Sequence, residues 1–303
     1  MKKGKTRVIL LLISVLFIVV LAYSKENTSL KFSINLKGGL SYIAGGDVNK
    51  HLKTYDDYLI DMTQYEGGET GRLHFGPELN GELKFNISSK LAFSVDIGYI
   101  SMENRSVLEF EGPFPFYIPV NNNHYFVMSP KIEAVPIKSG IYYIISSRSK
   151  TNFFLNVGIG YYFSKVSLYK QHVTPNYGAD FTVYTKEEKY ELAANGLGFH
   201  GGIGLEYKLV NNLSLLLEIQ GRFFRKYLSG THISSFWEEP LIEEKGNLYI
   251  GERDLWDEGY GEHCPDLIIS QSTPTGSEFQ NIKRAALDLS GILLKVSIRI
   301  KLF

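Results

Sequence analysis

The chain has 303 residues, equal numbers of basic and acidic side chains, and a formal net charge of zero. Electrostatic binding of nucleic acid needs a clear basic excess, so no nucleic-acid partner is expected. Glycine, tyrosine and phenylalanine are abundant, with 29, 20 and 19 residues, which favours strands and tight turns over helices. The single cysteine, Cys264, cannot form an internal disulfide, and we expect it to be a loop thiol.

Residues 1–24 have the organisation of a secretory signal peptide. Three lysines and one arginine form a positively charged start, and an apolar run follows from residue 8 to residue 22. Ala22 and Ser24 are small residues at the two positions that a signal peptidase reads, which predicts cleavage before Lys25. The apolar run is shorter than the roughly 20 residues of a spanning helix, although a retained helical anchor is the alternative. The mature chain, residues 25–303, is therefore expected outside the cytoplasm.

From residue 30 onward the apolar residues recur with a period of two, which predicts β-strands, and no helical period persists over a long stretch. In the clearest segment, Phe153, Leu155 and Val157 lie on one face, while Asn156 and Gly158 lie on the other. Segments with this pattern cover residues 30–42, 73–87, 91–99, 125–145, 153–163, 197–209, 213–223 and 292–302. They predict an all-β fold, a closed antiparallel up-and-down transmembrane β-barrel of about eight strands. A further hairpin near residues 248–250 and 267–269 would raise the number to ten.

The pattern alone does not decide which face meets lipid, because a soluble lipocalin-like barrel has the same alternation turned inside out. Glycines concentrate on the polar face, and the interior of an eight-stranded barrel is so narrow that it needs small residues. The strands are long enough to cross a bilayer, and aromatic residues gather near their ends, as interfacial girdles do. We therefore predict that the polar face is inside and the apolar face is in lipid.

This orientation places charged side chains of both signs inside the barrel. The expected inner residues are Lys37, Glu78, Glu82, Lys84, Asp96, Lys131, Glu133, Glu206, Lys208, Glu218, Arg222, Lys295 and Arg299. Buried charges persist only when they are paired and hydrogen-bonded. We therefore predict a structural ionic network that plugs the lumen, formed by Glu78, Glu82, Lys84, Asp96, Glu206, Glu218, Arg222, Lys295 and Arg299. A proton or ion path through these groups is the alternative.

The connections between the strands alternate in length. Short ones fall near residues 88–89, 146–150 and 211–212, and long ones cover about 44–71, 103–124, 170–195 and 229–283. Short periplasmic turns and long extracellular loops are typical of outer-membrane barrels. The last long segment contains both tryptophans and is acidic, with Glu238, Glu239, Glu243, Glu244, Glu252, Asp254, Asp257, Glu258, Glu262 and Asp266. We expect a solvated loop there; binding of a surface ligand or a divalent cation is the alternative, and His263 beside Cys264 indicates a soft metal only weakly.

Residues 30–303 resemble the small outer-membrane β-barrel families, of the OmpA/OmpX type and the outer membrane protein beta-barrel domain group. The resemblance rests on the signal peptide, the alternating loop lengths, the strand LNVGIGYYF and the terminal segment VSIRIKLF. It implies an outer-membrane location, surrounding membrane lipid, and recognition of the terminal Phe303 by the barrel-assembly machinery. Phe303 shares the parity of Arg299 and Lys301 rather than that of the apolar face.

No catalytic, metal or cofactor motif accompanies this architecture. The serines lack a nucleophile motif, and the glycines of GLGFHGGIG have no following helix with which to bind phosphate. The sequence therefore favours a non-enzymatic barrel that supports the envelope or interacts through its loops. A narrow transporter or channel for small solutes is the first alternative, and a lipid hydrolase active at the rim is the second.

Overall fold

Nearly all of the described chain is antiparallel β-structure. A computed structural model describes residues 31–63, 71–111, 123–175, 183–236, 241–255 and 261–302. The expected signal peptide, both tryptophans and Phe303 lie outside these residues. The elements are β1 Lys31–Ile43, α1 Asp47–Thr63, β2 Phe75–Asn86, β3 Leu91–Glu103, β4 Ser106–Glu111, β5 Asn123–Ser147, β6 Thr151–Pro175, β7 Val183–Val210, β8 Leu213–Phe223, β9 Arg225–Tyr227, β10 Ser229–Phe236, β11 Ile242–Leu255, β12 Gly261–Ser270, β13 Phe279–Arg284, β14 Ala286–Asp288 and β15 Gly291–Lys301.

Eight of these strands form a closed ring, in the order β1, β2, β3, β5, β6, β7, β8 and β15. The ring closes because β15 pairs with β8 on one side and with β1 on the other. Each pairing in the ring is antiparallel, and Lys295 lies opposite Glu218 on β8 and Gly39 on β1. The predicted up-and-down barrel of about eight strands is therefore confirmed.

The two faces of the ring differ sharply in chemistry. Leu294 on β15 is 50% exposed, whereas the adjacent Lys295 is 1% exposed. The exposed apolar residues continue around all eight strands and form a belt, as Leu79, Ile159 and Ile203 illustrate. Exposed apolar side chains on every strand with charges inside are the arrangement of a barrel in lipid. None of the helices in the described ranges is long and apolar enough to cross a membrane.

Inward glycines make room for large inner side chains, as the narrow interior requires. A Cβ atom on Gly204 would clash with the Phe154 ring, and one on Gly158 would clash with His200. By contrast, a Cβ atom on Gly81, on the lipid face, would have no neighbour within 4 Å. The glycines of the polar face are therefore a packing requirement of this barrel.

The ring continues beyond the belt, at the end opposite the short turns, into a layer that we name the cap. The cap consists of α1, β4, β9 to β14, and residues 123–134, 164–175 and 183–195 of β5, β6 and β7. Here β7 pairs with β10, β10 with β11, and β11 with β12, so an open sheet extends from the barrel wall. Buried apolar residues fill it, among them Leu52, Leu192, Leu248, Leu267 and Leu287.

The cap corrects the expectation of long loops. The described residues of 170–195 belong to β6 and β7, and those of 229–283 lie mostly in β10 to β13 rather than in a solvated loop. The hairpin that would have given ten strands exists, with Leu248 opposite Ile269, but it lies outside the ring. Cys264 is a buried residue of β12 rather than a loop thiol. The prediction that no helical period persists over a long stretch is also wrong, because α1 has 17 residues.

Helix α1 is positioned by a sharp bend before it. Gly45 and Gly46 have φ values of 74° and 65°, in the left-handed region that favours glycine. A side chain on Gly46 would also clash with the backbone of β14. Asp47, the first helical residue, accepts a hydrogen bond from the Ala286 amide at 3.0 Å and lies 2.7 Å from Lys283 Nζ. A carboxylate also suits the positive end of the helix dipole. These contacts fix α1 to β13 and β14 at the mouth of the barrel.

Candidate functional site

The lumen of the barrel is filled by side chains of both signs. Eleven charged residues of the ring are buried there, and they comprise Glu78, Glu82, Asp96, Glu206, Glu218, Lys37, Lys84, Lys138, Arg222, Lys295 and Arg299. Because five are acidic and six are basic, the interior is close to electrical neutrality. All nine residues of the expected network are among them.

The layer nearest the short turns is organised by Arg299. Its guanidinium lies 2.7 Å from the Glu206 carboxylate and donates a second hydrogen bond to Asn35 Oδ1 at 2.8 Å. Asn152 also donates to Glu206, at 3.2 Å. The Lys84 ammonium has a different environment, over the Tyr142 ring at 4.5 Å from its centroid. Cation–π contact of this kind stabilises a desolvated ammonium.

The middle layer joins β1, β2, β3 and β5, which are consecutive strands of the ring. Glu82 on β2 pairs with Lys37 on β1 and accepts a hydrogen bond from the Tyr142 hydroxyl of β5 at 2.7 Å. Lys37 also lies 3.3 Å from Asp96.

A second group in the same layer is built around Glu218. Lys295 Nζ lies 3.2 Å from this carboxylate and donates to Gln220 Oε1 at 3.1 Å. Asn156 donates a further hydrogen bond to Glu218. Lys295 and the two amide side chains, Asn156 and Gln220, therefore all contact the same carboxylate oxygen, Oε1 of Glu218, and buried ion pairs need such additional hydrogen bonds.

The layer nearest the cap is centred on Glu78. Its two carboxylate oxygens lie 2.8 Å from Arg222 Nη1 and 3.3 Å from Lys138 Nζ. Arg222 also donates to Ser41 Oγ and to the Leu289 carbonyl, both at 2.8 Å. Leu289 belongs to the apolar core of the cap. The ionic network and the cap therefore meet directly at Arg222.

Sequence reasoning misplaced part of β5. Lys131 and Glu133 were expected inside, but they lie on the outer face, where Lys131 Nζ is 3.3 Å from Glu133 and the Tyr99 hydroxyl donates to Glu133. The buried cation of β5 is instead Lys138, which pairs with Asp96 at 3.2 Å. Two prolines interrupt the alternation of this strand and obscure its parity in the sequence. The expectation for Lys131 and Glu133 is wrong, whereas the even parity of Lys138 and Tyr142 was a usable signal.

A second buried polar cluster lies in the cap, beyond the membrane belt. Lys170 Nζ of β6 lies 3.4 Å from His51 Nε2 of α1, and over the rings of Tyr55 and Tyr190 at 4.8 and 5.7 Å from their centroids. Burial, reinforced by the Lys170 charge, holds the pKa of His51 well below its usual range. Histidine is therefore a neutral acceptor for the ammonium at this position.

Acidic groups near Lys170 respond to the same environment. Burial alone would raise the pKa of Glu188, but the Lys170 ammonium holds this pKa below its usual range. Burial raises the pKa of Asp266, and Arg253 lies 3.7 Å from its carboxylate. Burial also raises the pKa of the Cys264 thiol to about 11, which makes it unreactive while the cap is closed.

The described part of the acidic segment 229–283 is mostly strand, and several of its carboxylates have partners. Glu243 lies 2.6 Å from Lys245, Glu244 lies 3.3 Å from His232, and Asp266 is buried. Four of its acidic residues, Glu238, Glu239, Asp257 and Glu258, lie outside the described residues. Among the residues described, no cluster of three or more His, Cys, Asp or Glu side chains has the geometry to hold a metal ion.

Comparisons with known proteins find similarity only at the level of solved structures. No family model matches the sequence, and no curated protein matches it significantly. Neisserial surface protein A is 10% identical with a TM-score of 0.37, covering 89% of this chain and 97% of that one. A major outer membrane protein from Thermus thermophilus is 12% identical with a TM-score of 0.39, covering 91% and 100%. The outer membrane protease OmpT from Escherichia coli is 7% identical with a TM-score of 0.28, covering 91% and 99%. These similarities are too low to assign a function.

The location follows from the structure itself. A closed ring satisfies its own backbone hydrogen bonds, which is one of only two ways in which a chain can span a bilayer. The apolar belt faces outward and the charges face inward. The protein is therefore an outer-membrane β-barrel of the Gram-negative type.

Proposed function

We propose that this protein is a non-enzymatic outer-membrane barrel with a closed lumen, which supports the envelope and presents its cap to surface ligands. The ionic network carries the proposal, because its paired side chains bridge the lumen where a channel needs open water. Arg222 of β8 reaches Glu78 of β2, three strands away around the ring, and Lys138 of β5 binds the other oxygen of the same carboxylate. Dismantling such pairs to admit water and ions would cost several kcal/mol for each unpaired charge.

The cap supports the same proposal from the other end of the lumen. Helix α1 and strands β10 to β14 lie over the mouth of the barrel with an apolar core. The space among His51, Leu168, Leu248 and Leu267 is a cavity of about 20 Å³, room for about one water molecule. A solute would therefore have to displace a packed core before it reached the charged lumen.

Several finer assignments belong to this proposal. Its eight strands suit a small barrel of the OmpA/OmpX type, surrounded by outer-membrane lipid. The barrel-assembly machinery would recognise the chain end at Phe303. A surface ligand would meet the exposed edge of residues 229–283, where Glu243 and Lys245 project from β11.

Planar-bilayer recording of the refolded mature protein tests the closed lumen. We expect no reproducible conductance step at moderate voltage, whereas an open porin in the same bilayer supplies the positive control. Discrete steps that recur in independent preparations would contradict the proposal and favour a channel. Mass spectrometry of lipid A from expressing cells is a separate test, because an altered lipid A would indicate a hydrolase.

A further inference from the structure

The end of the barrel that carries the short turns has an unusual charge distribution. Among the side chains that the structure describes, five exposed or half-buried cations lie there, and they are Lys90, Arg148, Lys150, Lys208 and Lys301. We name this set the basic rim. Among the described residues, one carboxylate forms an ion pair with this set, and it is Glu206, which is buried in the lumen and 3.7 Å from Lys301. The rim therefore presents positive charge that exposed acidic groups of the described chain do not offset.

Four of the five rim cations, all except Lys301, lack an ion pair with the described residues. No ion pair joins Lys90, Arg148, Lys150 or Lys208 to any residue in the described ranges. The opposite margin of the belt differs, since the outward charges there are matched. Lys165 lies 3.6 Å from Glu191, and Lys189 lies 2.8 Å from the same residue. One membrane interface is thus electrically balanced, while the other has free cations.

The rim is a rigid feature of the fold. The Lys208 amide donates to the Lys150 carbonyl at 2.8 Å, which ties the turn after β5 to the end of β7. The Lys301 amide donates to the Asn212 carbonyl at 2.8 Å, and the Lys90 carbonyl accepts from the Ile144 amide at the same distance. Neighbouring turns therefore hold the backbone of the cations in fixed positions around the circumference.

The rim also lies at the edge of the apolar belt. Lys90 follows Ile87, and Arg148 and Lys150 lie between Ile145 and Phe153; these three apolar residues are exposed at the end of the belt. Lys208 and Lys301 have the parity of the lumen residues Glu206 and Arg299, and they lie half-buried where the lumen opens. Cations next to the last lipid-facing residues lie near the depth of the lipid headgroups, and their long aliphatic stems let the charges reach the phosphates.

We propose that the basic rim binds the phosphate groups of anionic phospholipids in the periplasmic leaflet. The spacing of the cations around the ring favours lipids, which surround a barrel on all sides, over a single acidic polymer, which would need a one-sided patch. Each cation near an anionic surface strengthens binding by about fivefold. Because the turns are tied together, this interaction would hold the barrel at a fixed depth in the membrane.

Native mass spectrometry of the mature protein in a non-ionic detergent tests the proposal. The probes are phosphatidylglycerol and phosphatidylcholine with identical acyl chains. We expect the anionic lipid to be retained at least about tenfold more strongly, and the preference to weaken as salt rises from about 50 to about 200 mM. Equal retention of the two lipids by the unaltered protein would overturn the proposal, whatever the variants do.

Two variants that each remove four positive charges test whether the basic rim is the lipid-binding site. The first combines Lys90→Gln, Arg148→Gln, Lys150→Gln and Lys208→Gln, and it should lose the preference for phosphatidylglycerol. The second places four Lys→Gln changes on exposed positions of the cap, at Lys50, Lys53, Lys189 and Lys226, and it should keep the preference. Retention of the preference by the rim variant, or equal loss in both, would overturn the proposal. So would binding of a soluble acidic glycan by a rim that shows no lipid preference.

Discussion

Acidification should loosen the docking of α1 onto the cap through one residue, His51. This side chain is 4% exposed, and its Nε2 atom lies 3.4 Å from the Lys170 ammonium. Other charged or titratable groups around the pair are Asp47 and Tyr55 on α1, Glu188 and Tyr190 on β7, and Asp266 on β12. Burial and the Lys170 charge keep the pKa of His51 well below its usual range.

The sign and the size of the effect follow from proton linkage. In the undocked helix His51 regains the ordinary histidine pKa of about 6.5 and binds a proton that the docked helix excludes. The stability of docking is therefore complete above about pH 6.5 and falls as the pH drops toward the depressed pKa. One additional proton in the undocked state raises the opening constant about tenfold between about pH 7.5 and about pH 5.5.

The single cysteine supplies the assay. Cys264 on β12 is 6% exposed in the cap, so a thiol reagent reaches it only after local opening. We measure its labelling by a dithiodipyridine reagent, divided at each pH by the rate for the urea-denatured protein. This ratio removes the intrinsic pH dependence of the thiol, and it should rise about tenfold from about pH 7.5 to about pH 5.5.

A matched variant isolates the histidine. The His51→Gln side chain can still accept a hydrogen bond from Lys170 but does not titrate in this range. Its normalised labelling should stay nearly constant, because Glu188 and Asp266 contribute equally in both proteins. If the ratio rises equally in the two proteins, or in neither, the role given to His51 is incorrect.

Two further changes test the lumen, by urea unfolding of the refolded barrel in detergent or vesicles. Arg222→Met leaves the buried Glu78 with one cation instead of two. The free energy of unfolding should therefore fall by about 3–5 kcal/mol. A loss below about 1 kcal/mol would show that the Arg222–Glu78 pair is dispensable. Gly204→Ala should prevent or strongly slow folding, because its new methyl group would meet the Phe154 ring, whereas Gly81→Ala has open space and should fold normally. Equal folding yields for the two alanine variants would refute the packing argument.

The local pattern of apolar and polar residues was sufficient to predict the strands of the barrel. Alternation with a period of two is a property of the chain alone, so the eight ring strands could be found without knowing their partners. The crowding of glycines on the polar face also gave the correct orientation, because the interior diameter depends only on strand number. Buried positions such as Glu78, Glu218 and Arg222 follow from parity within regular strands.

Where the alternation of apolar and polar residues was interrupted, the sequence was insufficient to place side chains inside or outside the barrel. Pro130 and Pro136 interrupt the alternation of β5 around Lys131, and the pairing of β5 with β3 and β6 shows that Lys138 rather than Lys131 is inside. Helix α1 was missed because several of its buried positions are polar, such as His51 and Asp56, and weaken the hydrophobic period. A spacing of three to four residues from Val48 to Leu52 and Tyr55 was the available signal.

By itself the sequence determined that the chain alternates and which face is apolar, since these properties arise between residues two apart. Only the tertiary structure decided that eight strands rather than ten close the ring, that Lys138 joins Glu78, and that His51 contacts Lys170. It also showed that β10 to β13 form a sheet over the mouth. Those contacts join segments far apart in the chain, and their formation depends on how neighbouring strands align. A one-dimensional pattern contains no record of that alignment, because the same alternation is compatible with many registers.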